Sequence, residues 1–414
     1  MKVNAKIIYS NGGKEMKSSF AKKFLVIALT LAMVFTFAAC GGSSDSGSSD
    51  SEADSGADSG AAVIKIGSSG PLTGGASIYG TAVKQGAEIA VAEINEANPD
   101  LQIEFKMEDD EADGEKAVNA YNKLKDWGIQ MMMGTVTTGS CIATSAVTFE
   151  DRVFELTPSA SSADVTAGKD NVFQVCFTDP NQGVKAADYI TENMAGSKVG
   201  VIYNNSDAYS TGIFNAFKAE MEAKGGEIVA AETYPDDTNA DYSAQLNSCK
   251  SAGADVVLLP IYYTPASVIM KQAKDMNYAP VFFGVDGMDG ILDMEGFDTA
   301  LAEGVMLMTP FNPWSTDEQV AGFVEKYQAA YNEVPNQFAA DGYDGIYALY
   351  EAFKATGLGT DAANADICDA MIGQFTGGFS YDGLTGAAMT WNEAGEVNKT
   401  PVVCVIQDGI YVDQ

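Results

Sequence analysis

From residue 63 onward the chain keeps a rhythm that few folds accommodate: short β-rich runs alternate with amphipathic helical segments. VIKIG (63–67) precedes a helix over about 80–97, then LQIEFKM (101–107), a helix over about 114–127 and MMMGT (131–135). The pattern resumes after Pro180 with KVGVIY (198–203), EIVAAETY (227–234), ADVVLLPIY (254–262) and APVFFGV (279–285), each pair separated by a helical stretch. Such alternation implies βαβ units, and so parallel sheets covered by helices on both faces. Two rounds of it, broken near Pro180, predict an α/β protein of two doubly wound parallel-sheet lobes. Long helical stretches at 317–332 and 338–356 follow, and the chain closes with hairpin-like WNEAGEV (391–397) and PVVCVIQDGIYV (401–412).

The first sixty residues read as an address and a tether. Lys17, Lys22 and Lys23 precede an apolar run from Phe24 to Phe37, and Phe37-Ala38-Ala39-Cys40 follows. This is the layout of a secretory signal ending at a cysteine. The tetrad resembles a bacterial lipobox, which predicts a signal peptide over 1–39 and a lipidated Cys40 as the mature N-terminus. Gly41 to Ala62 is almost entirely Gly, Ser, Asp and Ala, a flexible, self-repelling linker with nothing to bury. Residues 40–62 are thus expected to hold the folded part off a membrane surface.

Composition excludes whole classes of chemistry. The 414 residues include no histidine, so no Ser-His-Asp or Cys-His arrangement and no His-ligated zinc is available. With 24 Lys and Arg against 57 Asp and Glu the formal charge is −33, and Arg152 is the single arginine. A chain this acidic has no basic stripe for a phosphate backbone, which argues against nucleic acid as a partner. Beyond Cys40 stand Cys141, Cys176, Cys249, Cys368 and Cys404, an odd number with no CxxC spacing, expected as buried free thiols. Asp109-Asp110-Glu111-Ala112-Asp113-Gly114 begins like a calcium loop, but Ala120 stands where the bidentate Glu belongs. GSSGPLTGG (67–75) contains neither a P-loop GK[ST] nor a clean GxGxxG. No metal and no cofactor is therefore expected.

In open α/β sheets, ligands bind beyond the carboxyl ends of the strands. Strand 131–135 runs into Thr137-Thr138-Gly139-Ser140 and a helix, a cluster of hydroxyls and N–H groups that would suit a carboxylate or would simply cap the helix. Strand 153–157 ends in Pro158-Ser159-Ala160-Ser161-Ser162, with the same two readings. GVDGMDG places Asp286 after strand 279–285, either as a solvated turn residue or as a partner for an ammonium. Tyr79, Tyr209 and Tyr262 mark three further element ends. Each alone fits core packing, whereas several around one crevice would wall a small-molecule pocket.

IKIGSSGPLTGGASIYG (64–80), GAEIAVAEIN (86–95), EDDEADGEKAV (108–118), LTPSASS (156–162), FQVCFTDPNQG (173–183) and YDGLTGAAMTWNEAGEV (381–397) together resemble the branched-chain amino-acid (Leu/Ile/Val) binding proteins of ABC transporters. The resemblance runs from about 63 to 412. It implies a type I periplasmic binding protein: two lobes joined by three crossovers, near Asp179-Pro180, between Thr309 and Asn312, and between Thr390 and Val397. Lobe 1 is then expected over 63–180 and 312–390, and lobe 2 over 181–311 and 391–414.

Carried over residue by residue, the resemblance puts the carboxylate-binding hydroxyls on Thr138 and Ser161, with the backbone of Ser159 as an acceptor for the ammonium. The acid that pairs the ammonium falls on Asp286, the cleft tyrosines on Tyr79, Tyr209 and Tyr262, and an apolar wall on Phe338. The chain departs from the family pattern in having Asp286 where leucine binders often carry Glu, Thr137 at one position of the usual disulfide, and Gln174 in place of a common Arg. The amino-acid class stands; leucine itself stays open. The implied function is capture, not catalysis, by a monomeric lipoprotein on the outer face of the cytoplasmic membrane, which delivers an amino acid to an ABC permease. Another small solute (an aromatic amino acid, an amide or urea) and a sensory role are the alternatives.

Overall fold

The computed structural model describes residues 61–235 and 241–414. The expected signal peptide, the Cys40 anchor and all but the end of the linker lie outside the described residues.

Two sheets organise the rest. The first takes β1 (Ala62–Gly70), β2 (Leu101–Asp109), β3 (Met131–Thr135), β4 (Phe154–Thr157) and β5 (Val172–Gln174) in the order β2-β1-β3-β4-β5, all parallel. The second takes β6 (Lys198–Asn204), β7 (Glu227–Tyr234), β8 (Val256–Leu259), β9 (Val281–Gly284), β10 (Met306–Thr309), β11 (Val402–Gln407) and β12 (Ile410–Asp413) in the order β12-β11-β10-β9-β8-β6-β7. Its first five strands are parallel, and β11 and β12 join antiparallel. β3, β4 and β8 are buried at every residue, as expected where helices cover both faces.

The helices are α1 (Ser77–Ala97), α2 (Gly114–Trp127), α3 (Thr138–Asp151), α4 (Asp179–Asn193), α5 (Ala208–Lys224), α6 (Ser243–Ala252), α7 (Tyr263–Asp275), α8 (Glu318–Tyr331), α9 (Gln337–Thr356) and α10 (Asn364–Thr376). Local chemistry starts and stops them. Asp113, Thr178, Asp207 and Asp317 cap the starts of α2, α4, α5 and α8 through their side chains, and left-handed glycines follow α2, α5 and α6. None of these helices is long and apolar enough to cross a membrane.

The chain passes between the sheets three times: after β5, after β10 and before β11. After the second passage α8, α9 and α10 return to the first sheet's side, where α9 packs along α1 and α10 against β4. The α1–α9 approach depends on glycine. A Cβ on Gly86 would lie 1.8 Å from the Ala339 carbonyl oxygen, and one on Gly342 would lie 2.4 Å from that of Val83. The resulting doubly wound, two-sheet architecture with three crossovers is the one the sequence implies.

Several details differ from the sequence reading. The strand expected over 254–262 is ordered only over Val256–Leu259, because Pro260 has no N–H for the ladder. The sequence reading contains no helix at α10; its buried residues Ile367, Cys368, Met371 and Phe375 form only a narrow apolar stripe beside the charged Asp366 and Asp369. Residues 391–397, closed by a Trp391–Val397 bridge, lean on the edge of the first sheet: the Trp391 indole donates to the Gln174 carbonyl at 2.7 Å, and the Gln174 amide to Gly395 at 2.9 Å. The expected boundary at 391 places this whole segment in lobe 2, whereas its hydrogen bonds to Gln174 are to the first sheet. Cys141, Cys176, Cys249, Cys368 and Cys404 are all free and buried.

Candidate functional site

The carboxyl ends of the two sheets face each other, and a small cavity of about 10 Å³ lies between them. Its lining is Tyr79, Val136, Thr137, Thr138, Ser159, Tyr209, Tyr262, Asp286, Gly287 and Phe338. Seven of the eight ligand residues expected from sequence meet there. The first sheet's side contributes Tyr79 from the first turn of α1, Thr138 and Ser159 from the ends of β3 and β4, and Phe338 from the first turn of α9. The second contributes Tyr209, Tyr262 and Asp286.

Ser161 does not line the cavity. It sits fully buried behind the wall, its hydroxyl beside the buried Asp179 carboxyl, with neither group reaching a hydrogen bond of good geometry. Burial, first of all, pushes the Asp179 carboxyl well above the usual carboxylate range. Gln174, the departure noted above, is also buried behind the wall; its side-chain amide donates to the carbonyls of Ala160 at 2.9 Å and Ser162 at 3.2 Å, fixing the loop that presents Ser159.

Two chemically distinct ends result. On the first side, α3 opens at Thr138 with no side-chain cap, so its first turn keeps amides without intrahelical partners. Among the described residues the buried Thr137 hydroxyl has no partner, and the Thr138 hydroxyl accepts only a long bond, 3.4 Å, from the Ser162 amide. Ser159 is different: its hydroxyl is already committed to the Val136 carbonyl at 2.7 Å. Unpartnered donors at a positive helix terminus suit a carboxylate.

On the second side, Asp286 is only 4% exposed and stands in a 3-10 turn, Asp286–Met288. The solvated-turn reading of Asp286 is thereby excluded. Its Oδ1 accepts from the Tyr209 hydroxyl at 2.5 Å and the Gly287 amide at 2.8 Å, and its own amide donates to Gln182 Oε1 at 3.0 Å. Burial pushes the carboxyl up to about 6, against the opposing pull of these hydrogen bonds. No cation pairs with Asp286 among the described residues.

Aromatic rings form the remaining wall. Tyr79 lies 4.3 Å from Phe338 and 5.4 Å from Tyr262 between ring centroids, and Tyr209 lies 5.0 Å from Tyr262. Tyr263, which with Tyr262 follows the VVLLP strand, also contributes to this region, as do Gln182, Gln337 and Asp289, which the sequence reading does not single out. They touch other protein groups rather than the cavity, so no ligand chemistry marks them in the chain.

The two sides are in direct contact. Tyr79 donates its hydroxyl to the Gly287 carbonyl at 2.5 Å and accepts from the Tyr263 amide at 3.2 Å; Thr264 donates to the Gly75 carbonyl at 2.6 Å. Gly287 has no room for a side chain, since a Cβ would come within 2.6 Å of the Tyr209 hydroxyl. A cavity of 10 Å³ holds about one water molecule, so admitting anything larger requires the two walls to part.

A family model for periplasmic binding proteins matches residues 63–409. The chain belongs to that family. Among its relatives, a Leu/Ile/Val-binding protein BraC3 of Rhizobium johnstonii is 31% identical over 73% of this chain and 82% of its own length. A Leu/Ile/Val-binding protein homolog 3 of Brucella melitensis is 37% identical over 55% of this chain and covers 62% of that relative, just under two thirds of its length. Among solved structures, the branched-chain amino acid transporter substrate-binding protein LivJ of Streptococcus pneumoniae, crystallised with isoleucine, superposes with a TM-score of 0.75 at 27% identity, over 85% of this chain and all of that one. The cavity of this periplasmic binding protein lies between its two sheets, at the ends of their strands, where the sequence reading expected it.

Proposed function

We propose that this periplasmic binding protein captures an α-amino acid with an apolar side chain, branched-chain first among candidates, and delivers it to an ABC importer. The observation that carries the reading is the polarity of the cavity. A buried carboxyl without a cation stands on one side, unpartnered hydroxyls at a helix N-terminus stand on the other, and four aromatic rings surround them. A zwitterion satisfies both ends at once, its ammonium at Asp286 and its carboxylate at Thr137, Thr138 and the first amides of α3, through charge-assisted hydrogen bonds. The family membership and the names of the relatives support the same ligand class.

Nothing in this arrangement turns a substrate over; binding energy is used to hold the two lobes together. The two lobes, one built on each sheet, are proposed to move about the three crossovers, and ligand stabilises the closed form by touching both. The closed form is then what a permease would recognise. Cys40 is proposed to carry a lipid that anchors the monomeric protein outside the cytoplasmic membrane, with the acidic linker as spacer. Radiolabelled palmitate incorporation tests the anchor: it should occur in the wild-type chain and vanish in Cys40→Ser.

The rings of Tyr79, Tyr209, Tyr262 and Phe338 favour one second reading, an aromatic amino acid. A thermal-shift panel on protein refolded to strip carried-over ligand separates the two, because a ligand bound only by the native state raises the melting temperature. A rise confined to leucine, isoleucine and valine supports the first reading, and a rise confined to phenylalanine and tyrosine supports the second. No rise with any amino acid overturns both.

A further inference from the structure

The turn that carries Asp286 also carries Asp289, a carboxyl that touches nothing in the cavity. Asp289 is fully buried, and its two oxygens are held by three donors from three parts of the chain. Oδ2 accepts from the backbone amide of Gln337 at 2.9 Å, while Oδ1 accepts from the Tyr411 hydroxyl at 2.6 Å and the Gly290 amide at 2.8 Å. Gln337 is the first residue of α9, whose next residue is the cavity wall Phe338, and α9 packs on the first sheet's side. Tyr411 belongs to β12 of the second sheet. The Gln337 side chain adds a second tie across the same gap, donating from Nε2 to the Asp286 carbonyl at 2.8 Å.

We infer that Asp289 is a positioning residue for closure: its carboxylate caps the exposed amide of α9 from the opposite lobe and so holds Phe338 over the ligand. The inference rests on the two-lobed capture proposed above. The physical reason is that a helix's first amides have no partner within the helix. Asn336 serves the amides of Phe338 and Ala339, at 3.1 and 3.3 Å, and leaves that of Gln337. Asp289 fills that position only when the lobes are together. Parting them exchanges a charge-assisted hydrogen bond for hydration, a larger loss than that of an ordinary hydrogen bond because the acceptor is charged. The Tyr411 bond keeps the carboxylate aimed while it waits. Asp289 is thus the mechanical counterpart of Asp286 three residues earlier: one acid receives the ligand, the other receives the opposite lobe.

The helix start offers a clean test. Gln337→Pro deletes the amide that Asp289 accepts from α9, at the first helical position, where proline is well tolerated, and Asn336 before it is already extended. Gln337→Ala keeps that amide and removes only the side-chain tie, so the difference between the two isolates the Asp289 contact. Asp289→Asn tests the same contact from the other side. The expected result is a leucine dissociation rate about tenfold faster in Gln337→Pro than in Gln337→Ala, with the association rate and the melting temperature little changed between them. Paired spin labels on exposed sites of the two lobes should show a more open ligand-free population in Gln337→Pro and Asp289→Asn than in the wild type. That distance measurement needs no ligand, so it remains decisive if the wild-type protein binds no amino acid. Equal distances and equal dissociation rates in Gln337→Pro and Gln337→Ala would overturn the role of Asp289.

Discussion

The hydroxyl of Tyr79 and the carbonyl of Gly287 meet at 2.5 Å across the gap between the two lobes, one residue beyond the acid proposed to hold the ligand's ammonium. The same hydroxyl accepts from the Tyr263 amide, so one aromatic side chain is both a wall of the cavity and a clasp on its far side. Recognition and closure therefore share atoms.

Tyr79→Phe keeps the ring against Phe338 and removes both bonds. Amino-acid affinity is expected to fall about tenfold, which corresponds to the loss of one to two ordinary hydrogen bonds. Stopped-flow should place the loss mainly in dissociation, since the broken contacts exist only in the closed form. An unchanged dissociation rate would show that the clasp contributes nothing.

Asp286→Asn separates binding from stability. Affinity should drop by about 2–5 kcal/mol, because the ligand's desolvated ammonium loses its charged partner. The ligand-free protein should respond in the opposite direction. Burial raises the Asp286 carboxyl to about 6, above its unfolded value near 4, so the folded state holds the proton more tightly. The stability associated with that proton is fully present below about pH 4 and is lost as pH rises through about 6. Asn carries no such cost, so the variant's melting temperature should exceed that of the wild type at pH 7 and match it near pH 4. Calorimetry at the two pH values checks this, and a variant less stable at pH 7 would contradict it.

The Lys399 side chain is buried, and its Nζ lies 3.3 Å from Asp341 on α9. Beside them Asp344 accepts from the Leu384 amide and from both the amide and the hydroxyl of Thr385. This network ties the last crossover to the helix that carries Phe338. Lys399→Met should destabilise the fold by about 3–5 kcal/mol in urea unfolding, because it leaves buried carboxyls without their cation. Adding Asp341→Leu to it should recover part of that loss; a larger deficit in the double variant would refute the pairing.

Gly287→Ala should abolish high-affinity binding without unfolding the protein. The new methyl would lie 2.6 Å from the Tyr209 hydroxyl and 3.1 Å from the Ile261 carbonyl oxygen, which forces Tyr209 away from Asp286. Titration calorimetry would register the loss, and wild-type affinity in this variant would show that the turn has slack.

The strand and helix alternation, the two mainly parallel sheets, the absence of histidine chemistry and the polar groups just after the strands are readable in the chain itself. These are legible because they are local: hydrophobic period, capping residues and strand ends are written within a few residues of each other, as in Asp207 capping α5 ahead of Tyr209. Packing settles which of several hydroxyls face the cavity, bringing Thr138 and Ser159 to its wall and leaving Ser161 behind it against Asp179. It alone decided that Asp286 is buried rather than solvated, and that Asp289, in the same GVDGMDG stretch, reaches α9 and β12. Those contacts join residues 48 and 122 positions apart in the chain, a separation at which the pairing of two groups is set by how the lobes pack and leaves no periodic mark in the residues themselves.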